Sequence, residues 1–489
     1  MNFLILINNA PNYKRFYSNI GQQLEAQGHK VFFAITSKRL RTSDPDSYID
    51  NSANCFYFDE YFDDNRNKEI KFVPNLTWGE LFYSDFDRFF THKYNLDKSS
   101  DYWYSIASNL ANYFRDIINR NNIDCILYEN VSNSFAYAAY QAAIDNNIIY
   151  LGLMASRLPN RYEIQSSIFE ESDYIEELAL SLQIDSNDTG WCKSYLENLK
   201  NTQPDYMSNN PLNESNKLKK LISPSKLNTA YKYIKLGFDK NSNSDYQTTS
   251  PLQTLKHSYI YNVNKYINEH KSEKYLISGS EVDELIEKDK GNFYVYPTHY
   301  HPESSTSVLA PYFTDEFNNI LNIHNSLAIG TYLYVKDHIS ARGIKSENFY
   351  KKISALPGVR IIHYSYNTKE LVIKSKGVIS ITSTVGYEAA LLGKPVYLLG
   401  RVFYEKFPNV VMLENFQQLK IAVNQEFKRA PTNKVYKYLI AYKRYTYEGQ
   451  LLIDNRKQWP TRYFLQIATN IENKVHELKK NEQNLIFNR

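Results

Sequence analysis

A chain of 489 residues exceeds what one hydrophobic core usually supports, so its length alone predicts two domains, or two with an insertion. Its 57 basic and 53 acidic residues leave a formal net charge of +4, too balanced for a nucleic-acid binder whose affinity rests on neutralising phosphates. Three widely spaced cysteines, Cys55, Cys125 and Cys192, argue against a disulfide framework and fit reduced thiols in a cytoplasm, and neither a signal peptide nor an apolar run of about 18 residues is evident.

In chain order, Phe3 to Ile7 reads as a strand, followed by a polar turn and a helix whose stripe is Phe16, Ile20 and Leu24. Gly28 closes that helix and Val31 to Ile35 resumes as a strand, which makes one βαβ unit. A helix over about 102–120, the strand "CILYEN", a helix over about 132–146 and the strand "IIYLGL" continue the alternation that marks a parallel, helix-covered sheet. Residues 1–165 are thus expected to form a Rossmann-like domain. From 166 to 275 the pattern changes to helical stretches broken by Asn/Ser/Pro-rich pieces, an inserted helical region with mobile loops. Alternation returns with "NFYVYPTHY", "TYLYVKDH", "VRIIHY", "GVISI" and "PVYLL", five strands with helices between them. They predict a second parallel-sheet domain over 276–430, with C-terminal helices over 431–489.

In open parallel sheets ligands bind beyond the carboxyl ends of the strands. Polar clusters of the second half fall at such ends: His299, His301 and Glu303 after "FYVY"; Lys336, Asp337 and His338 after "TYLYV"; His363 after "VRII"; Thr382, Ser383 and Thr384 after "GVISI". Two imidazoles and a carboxylate are competent zinc ligands. Pro302, however, interrupts the strand geometry that would align them, and donation to a phosphate needs fewer coincidences, so no metal site is expected. In "SITSTVGYEAALLGKPVYLLG" a strand delivers Ser383 and Thr384 to a helix start, where free N–H groups and the helix dipole favour an anion. Gly386 there is expected to let the backbone approach a ligand closely. Glu388 reads either as a first-turn glutamate favoured by the dipole or as a carboxylate accepting both hydroxyls of a ribose.

The stretches "THYHPESST", "YVKDHISARG" and "TSTVGYEAALLGKPVYLLG" resemble the bacterial capsule polysaccharide synthesis family, whose members include Kdo transferases, and are more distantly similar to bacterial sialyltransferases. The resemblance covers roughly 290–410, with a weaker likeness of "LEAQGHKVFF" and "SRLPNRYEI" to GT-B glycosyltransferases. At the second motif the family usually has proline after the histidine, where Ile339 stands here.

The resemblance implies a GT-B fold, two Rossmann-like domains facing across a cleft, the first taking the acceptor and the second the donor. It implies that His301 with Pro302 contacts the donor phosphate, that Ser383 and Thr384 bind it from the helix side, and that Glu388 holds the ribose. Lys336, His338 and Gly386 complete the expected donor-binding set. The expected function is a glycosyltransferase of capsular or lipopolysaccharide-type synthesis, with no cofactor and a nucleotide sugar as substrate, CMP-linked ulosonic acids being favoured over UDP-sugars by resemblance. Candidates for the base that deprotonates the acceptor are Glu303, His299 and, from the first domain, Glu129, which reads equally as a cap of the next helix. Expected partners are the donor and a glycan or lipid-linked glycan acceptor, without nucleic acid. The expected location is the cytoplasm, with at most peripheral membrane association through "NKLKKLISPSKL". A nucleotide-sugar epimerase of the same architecture and a non-catalytic component of a polysaccharide export assembly remain the alternatives.

Overall fold

The computed structural model describes residues 1–10, 12–65, 75–83, 92–169, 171–202, 204–205, 224–238, 245–300, 303–451 and 459–487. The fully buried run of β1 (Asn2–Ile7) pairs in parallel with β2 (Lys30–Ile35) on one side and β4 (Cys125–Glu129) on the other. β3 (Cys55–Tyr57) extends the sheet beyond β2, and β5 (Ile149–Ala155) beyond β4. Taken across, the parallel strands run β3-β2-β1-β4-β5, the doubly wound order, with the chain reversing direction between β1 and β4. An antiparallel margin follows, β6 (Arg161–Gln165) and then β13 (Tyr447–Glu448), the latter contributed by the far end of the chain.

The second sheet is parallel throughout and contains β7 (Phe293–Pro297), β8 (Tyr332–Lys336), β9 (Val359–Ile362), β10 (Gly377–Ser380), β11 (Val396–Leu398) and β12 (Val410–Met412). Its order is β12-β11-β10-β7-β8-β9, the same doubly wound plan, with the reversal between β7 and β10. Sequence reasoning expected five strands here; the sixth, β12, has three residues with two of them exposed, too short and too wet to register as a hydrophobic run. β3, β6 and β13 escaped for the same reason of length or because they pair at the margin.

Each sheet is covered on both faces. Helix Tyr13–Ala26 buries Phe16, Tyr17, Ile20 and Leu24 against the first sheet, and the C-terminal helix Thr461–Phe487 packs beside it with Phe464, Ile467, Ile471 and Val475 in the same core. Each such side chain removed from water is worth about 1.5–3 kcal/mol, so the tail is a working part of the first domain. The helix before it, Thr432–Tyr445, instead joins the core of the second sheet and packs on helices Ser172–Ser181 and Ser186–Glu197. After helix Thr432–Tyr445 the chain therefore returns from the second half to the first.

The joint is polar and aromatic. Glu163 of β6, fully buried, accepts from the Tyr442 hydroxyl at 2.6 Å and from Gln165 at 2.9 Å. Arg157, from the stretch "SRLPNRYEI", donates its backbone N–H to the same hydroxyl at 2.9 Å and lays its guanidinium over Phe403, 5.1 Å from the ring centroid.

Candidate functional site

Both points where strand order reverses carry a side-chain bridge. In the first sheet Asn12, in the left-handed region at φ 66°, turns the chain out of β1 and delivers Tyr13, whose hydroxyl donates to Glu129 at the end of β4. Asparagine tolerates that conformation better than most residues. Glu129 also accepts from Ser132 Oγ at 2.6 Å, and its backbone carbonyl accepts from the Tyr150 hydroxyl at 3.1 Å. Burial, and after it the charge of Glu129, pushes the phenols of Tyr17, Tyr128 and Tyr150 well above their ordinary range. The carboxylate thus stands among hydroxyls that keep their protons.

In the second sheet the bridge is His299, one residue beyond Thr298 at the end of β7. Its Nδ1 lies 3.2 Å from Glu316, its backbone N–H donates to the same carboxylate at 2.6 Å, and its Nε2 accepts from the backbone N–H of Thr382 at 3.3 Å. With both ring nitrogens engaged and 5% of the residue exposed, His299 is a positioning residue that ties the end of β7 to the loop after β10. That corrects its expected candidacy as a base. Glu316 is held in turn by the Tyr296 hydroxyl at 2.8 Å.

The loop that His299 holds is "ITSTVG". Thr382 is buried, and its hydroxyl has no hydrogen-bond partner among the described residues. Ser383 caps helix Thr384–Leu391, its Oγ accepting from the Val385 N–H at 3.2 Å, which leaves the hydroxyl hydrogen to donate outward. Thr384 opens the helix. Gly386 is needed for a different reason from the one expected: a Cβ there would lie 2.5 Å from the Tyr404 hydroxyl, which itself donates to the Ser383 carbonyl at 2.6 Å. The glycine admits a tyrosine, not a ligand.

Glu388, 14% exposed at its side chain, pairs with Lys369 at 3.2 Å, and Lys369 also donates to the carbonyls of Leu199, at 2.6 Å, and Thr202. Burial pushes the Glu388 carboxyl up to about 7 despite the opposing ammonium.

Lys336 also departs from expectation. Its ammonium is buried and donates to the carbonyl of His363 at 2.9 Å, closing the ends of β8 and β9, and burial pulls its pKa down to about 8. It clamps strands and does not present a cation to a phosphate. His338 next to it is a better donor: its Nδ1 accepts from the Ser340 N–H at 3.1 Å, which fixes the proton on Nε2. Burial, then the charges of Lys345 and His299, lowers its pKa to about 4, so the ring is neutral at physiological pH.

The two halves meet at these ends. Asn130, the residue after Glu129, donates through Nδ2 to Ser304 Oγ at 3.0 Å, across from the first sheet to the stretch "ESST". Glu303 is exposed, its backbone carbonyl accepting from the N–H groups of Thr306 and Ser307 and its carboxylate from Ser305 Oγ at 3.1 Å. His301 and Pro302 lie outside the described residues. Tyr13, Asn130 and Ser304 were missed by sequence reasoning; their signal was position, one to seven residues beyond strands β1, β4 and β7, where the sheets reverse.

The rest of the first sheet's carboxyl edge is closed by a strap from the inserted region, residues 245–249. Asp245 accepts from Asn9 at 2.9 Å, Arg39 donates to Thr248 at 2.8 Å and to the carbonyl of Thr249 at 2.9 Å, and the Tyr246 hydroxyl lies 2.9 Å from Ser134 Oγ. Beneath it, burial raises the Asp59 carboxyl to about 6. With β1 and β2 covered in this way, the Glu129 side is the part of the edge turned to the second domain.

No described cluster of three His, Cys, Asp or Glu residues is arranged to hold a metal ion. No curated protein sequence matches the chain. Among solved structures, the beta Kdo 2,4 transferase of Thermosulfurimonas dismutans KpsC is 13% identical over 65% of this chain and 79% of its own, with a TM-score of 0.36. The beta Kdo 2,7 transferase of the same protein is 12% identical over 73% and 89%, also at 0.36. UDP-GlcNAc 2-epimerase from Neisseria meningitidis, bound to UDP-GlcNAc, is 13% identical over 98% and 100%, at 0.25. Scores this low assign neither a detailed fold nor a function. The family comparison is of another kind: the model for capsule polysaccharide biosynthesis proteins matches residues 199–447, just over half of the chain, and takes in the strap, β7 to β12 and the loop 382–384. The chain belongs to the capsule polysaccharide biosynthesis protein family.

Proposed function

We propose that this protein is a glycosyltransferase that moves a sugar from a nucleotide-sugar donor, held at the carboxyl ends of β7 and β10, to a glycan acceptor entering beside Glu129. The observation that carries the reading is the alignment of the two reversal points, Tyr13–Glu129 in one sheet and His299–Thr382 in the other, joined by the Asn130–Ser304 hydrogen bond. Doubly wound sheets bind ligands at such points, and the Asn130–Ser304 hydrogen bond links the chain beside both of them.

In this reading the departing phosphate collects its negative charge against neutral donors: the Ser383 and Thr382 hydroxyls, the Nε2–H of His338 and the positive end of helix Thr384–Leu391, with His301 expected to join them. Glu388 takes the ribose hydroxyls. Glu129 accepts the proton of the attacking acceptor hydroxyl, while Tyr13 and Ser132 keep its carboxylate in place. Glu303 is the other carboxylate at hand, and its exposure makes it the weaker base candidate. A CMP-linked ulosonic acid remains the favoured donor.

Melting curves with CMP, UDP and GDP test the donor half of the reading. A nucleotide that binds the folded state at a hundred times its dissociation constant stabilises by about 2.7 kcal/mol, enough to separate the three. CMP should raise the melting temperature most. A rise with UDP alone would replace the donor assignment, and no rise with any of the three would remove the nucleotide site.

A further inference from the structure

Two helices of the inserted region form a hairpin whose outer face is apolar and flanked by lysines. On helix Pro224–Gly237, Leu227, Tyr231 and Ile234 stand at i, i+4 and i+7, and Phe238 follows at i+11, all on one stripe. All four are exposed, Tyr231 to 66% and Phe238 to 81%, while Leu236 on the opposite side is buried. On helix Pro251–Ser272, which packs against it, Tyr259 (66%) and Ile260 are exposed, and Lys256 stands in the same stripe three and four residues before them. Lys226 and Lys235 lie to either side of the first stripe.

The charge is concentrated there. The two helices carry six lysines and one glutamate, a net +5, against +4 for the whole chain, so the remainder of the molecule is close to neutral. The remainder of this chain, close to neutral, carries too little net negative charge to draw a second copy to this face. An anionic bilayer carries that charge: apolar and tyrosine side chains enter the headgroup boundary while lysines reach the phosphates.

The hairpin's place in the fold gives the contact a direction. Lys232 donates to the Ser43 carbonyl at 3.0 Å, in the segment after β2, and Asn268 donates to the Gly343 carbonyl at 3.3 Å, in the segment after β8. Both anchors lie beyond the carboxyl ends of their sheets, the side on which the candidate site stands.

We infer that the outer face of this hairpin docks the protein on an anionic phospholipid membrane and turns the cleft toward that surface. The inference does not depend on which nucleotide or sugar the cleft binds. Purified full-length protein is sedimented with phosphatidylcholine vesicles and with vesicles that also contain phosphatidylglycerol. Binding is expected only to the second kind, reversed by high salt, because the lysine contribution is screened within a Debye length. Lys235→Gln and Lys256→Gln should each weaken partitioning about fivefold, the equivalent of about 1 kcal/mol per lysine. Phe238→Glu with Tyr231→Glu should abolish it, with the melting temperature and any nucleotide-induced shift unchanged, since these side chains are exposed. Equal partitioning to both vesicles, or no binding to either, overturns the inference. So does concentration-dependent dimerisation that the same two glutamates remove, which would identify the covering surface as a second copy.

Discussion

Thr382 is where a single side chain separates a binding role from a packing role. Its hydroxyl is buried without a partner among the described residues, and an unsatisfied buried polar group costs about 1–3 kcal/mol. If that hydroxyl waits for a donor phosphate, Thr382→Val removes the cost and the contact together. The expected outcome is an unchanged or higher melting temperature with a weaker nucleotide-sugar affinity; unchanged affinity in a stable variant would take Thr382 out of the site. Glu388 makes a second residue-scale prediction. Its carboxyl titrates at about 7 because burial outweighs Lys369, and only the ionised form accepts two ribose hydroxyls. Nucleotide affinity should therefore rise as pH increases through about 7. Lys369→Met removes the cation that holds the carboxyl down, so the midpoint should move to higher pH. Titration of affinity against pH in both proteins checks this, and a flat profile in the parent would contradict a ribose role. At this scale the sequence was a partial guide. Ser383 and Glu129 stand where strand ends placed them, whereas His299, Lys336 and Gly386 look like ligand residues in the sequence and turn out to hold neighbouring backbone or admit Tyr404. Histidine, lysine and glycine near a strand end serve both purposes, and the difference lies in partners distant in the chain.

At the scale of elements, the βαβ alternation was legible because β1, β4 and β7 are buried on both faces and read as continuous apolar runs. The short marginal strands were not, and neither was the strap at 245–249, whose "DYQTT" has the composition of a loop and is fixed by Asn9, Arg39 and Ser134 from the other end of the chain. The helix Thr384–Leu391 carries the chemical expectation of this scale. In the proposed reading its amino-terminal end, capped by Ser383, supplies hydroxyl and dipole stabilisation to a phosphate without a cation. Transfer activity should accordingly persist in EDTA. Loss of activity on chelation, restored by Mg²⁺ or Mn²⁺, would show that a divalent ion shares that work.

The whole molecule depends on how its halves are joined. The Tyr442 hydroxyl serves Glu163 and the backbone of Arg157 at once, in a buried joint between β6 and the helix Thr432–Tyr445. Tyr442→Phe should destabilise the protein by about 1.5–3 kcal/mol, the worth of a hydrogen bond to a charged group, seen as a shifted denaturant midpoint with nucleotide affinity retained. An unchanged midpoint would mean that the joint is held by packing alone. The two-sheet plan was readable from strand spacing. The return of the tail to the first sheet was not, because helices 432–445 and 461–487 have similar amphipathic patterns and nothing local says which sheet each will cover.

The central claim is that the two reversal points act on one substrate pair, the donor at 382–384 and the acceptor proton at Glu129. It is tested most directly by following a labelled CMP-sugar with and without an acceptor glycan, in the parent protein and in Glu129→Gln. Label is expected on the glycan only when acceptor is present, and in Glu129→Gln the transfer rate should fall by about 10²- to 10⁴-fold with donor affinity preserved. Free sugar released without acceptor would mark an epimerase, unchanged CMP-sugar in every arm would mark a non-catalytic member of the family or a different donor, and full transfer by Glu129→Gln would contradict the site drawn here.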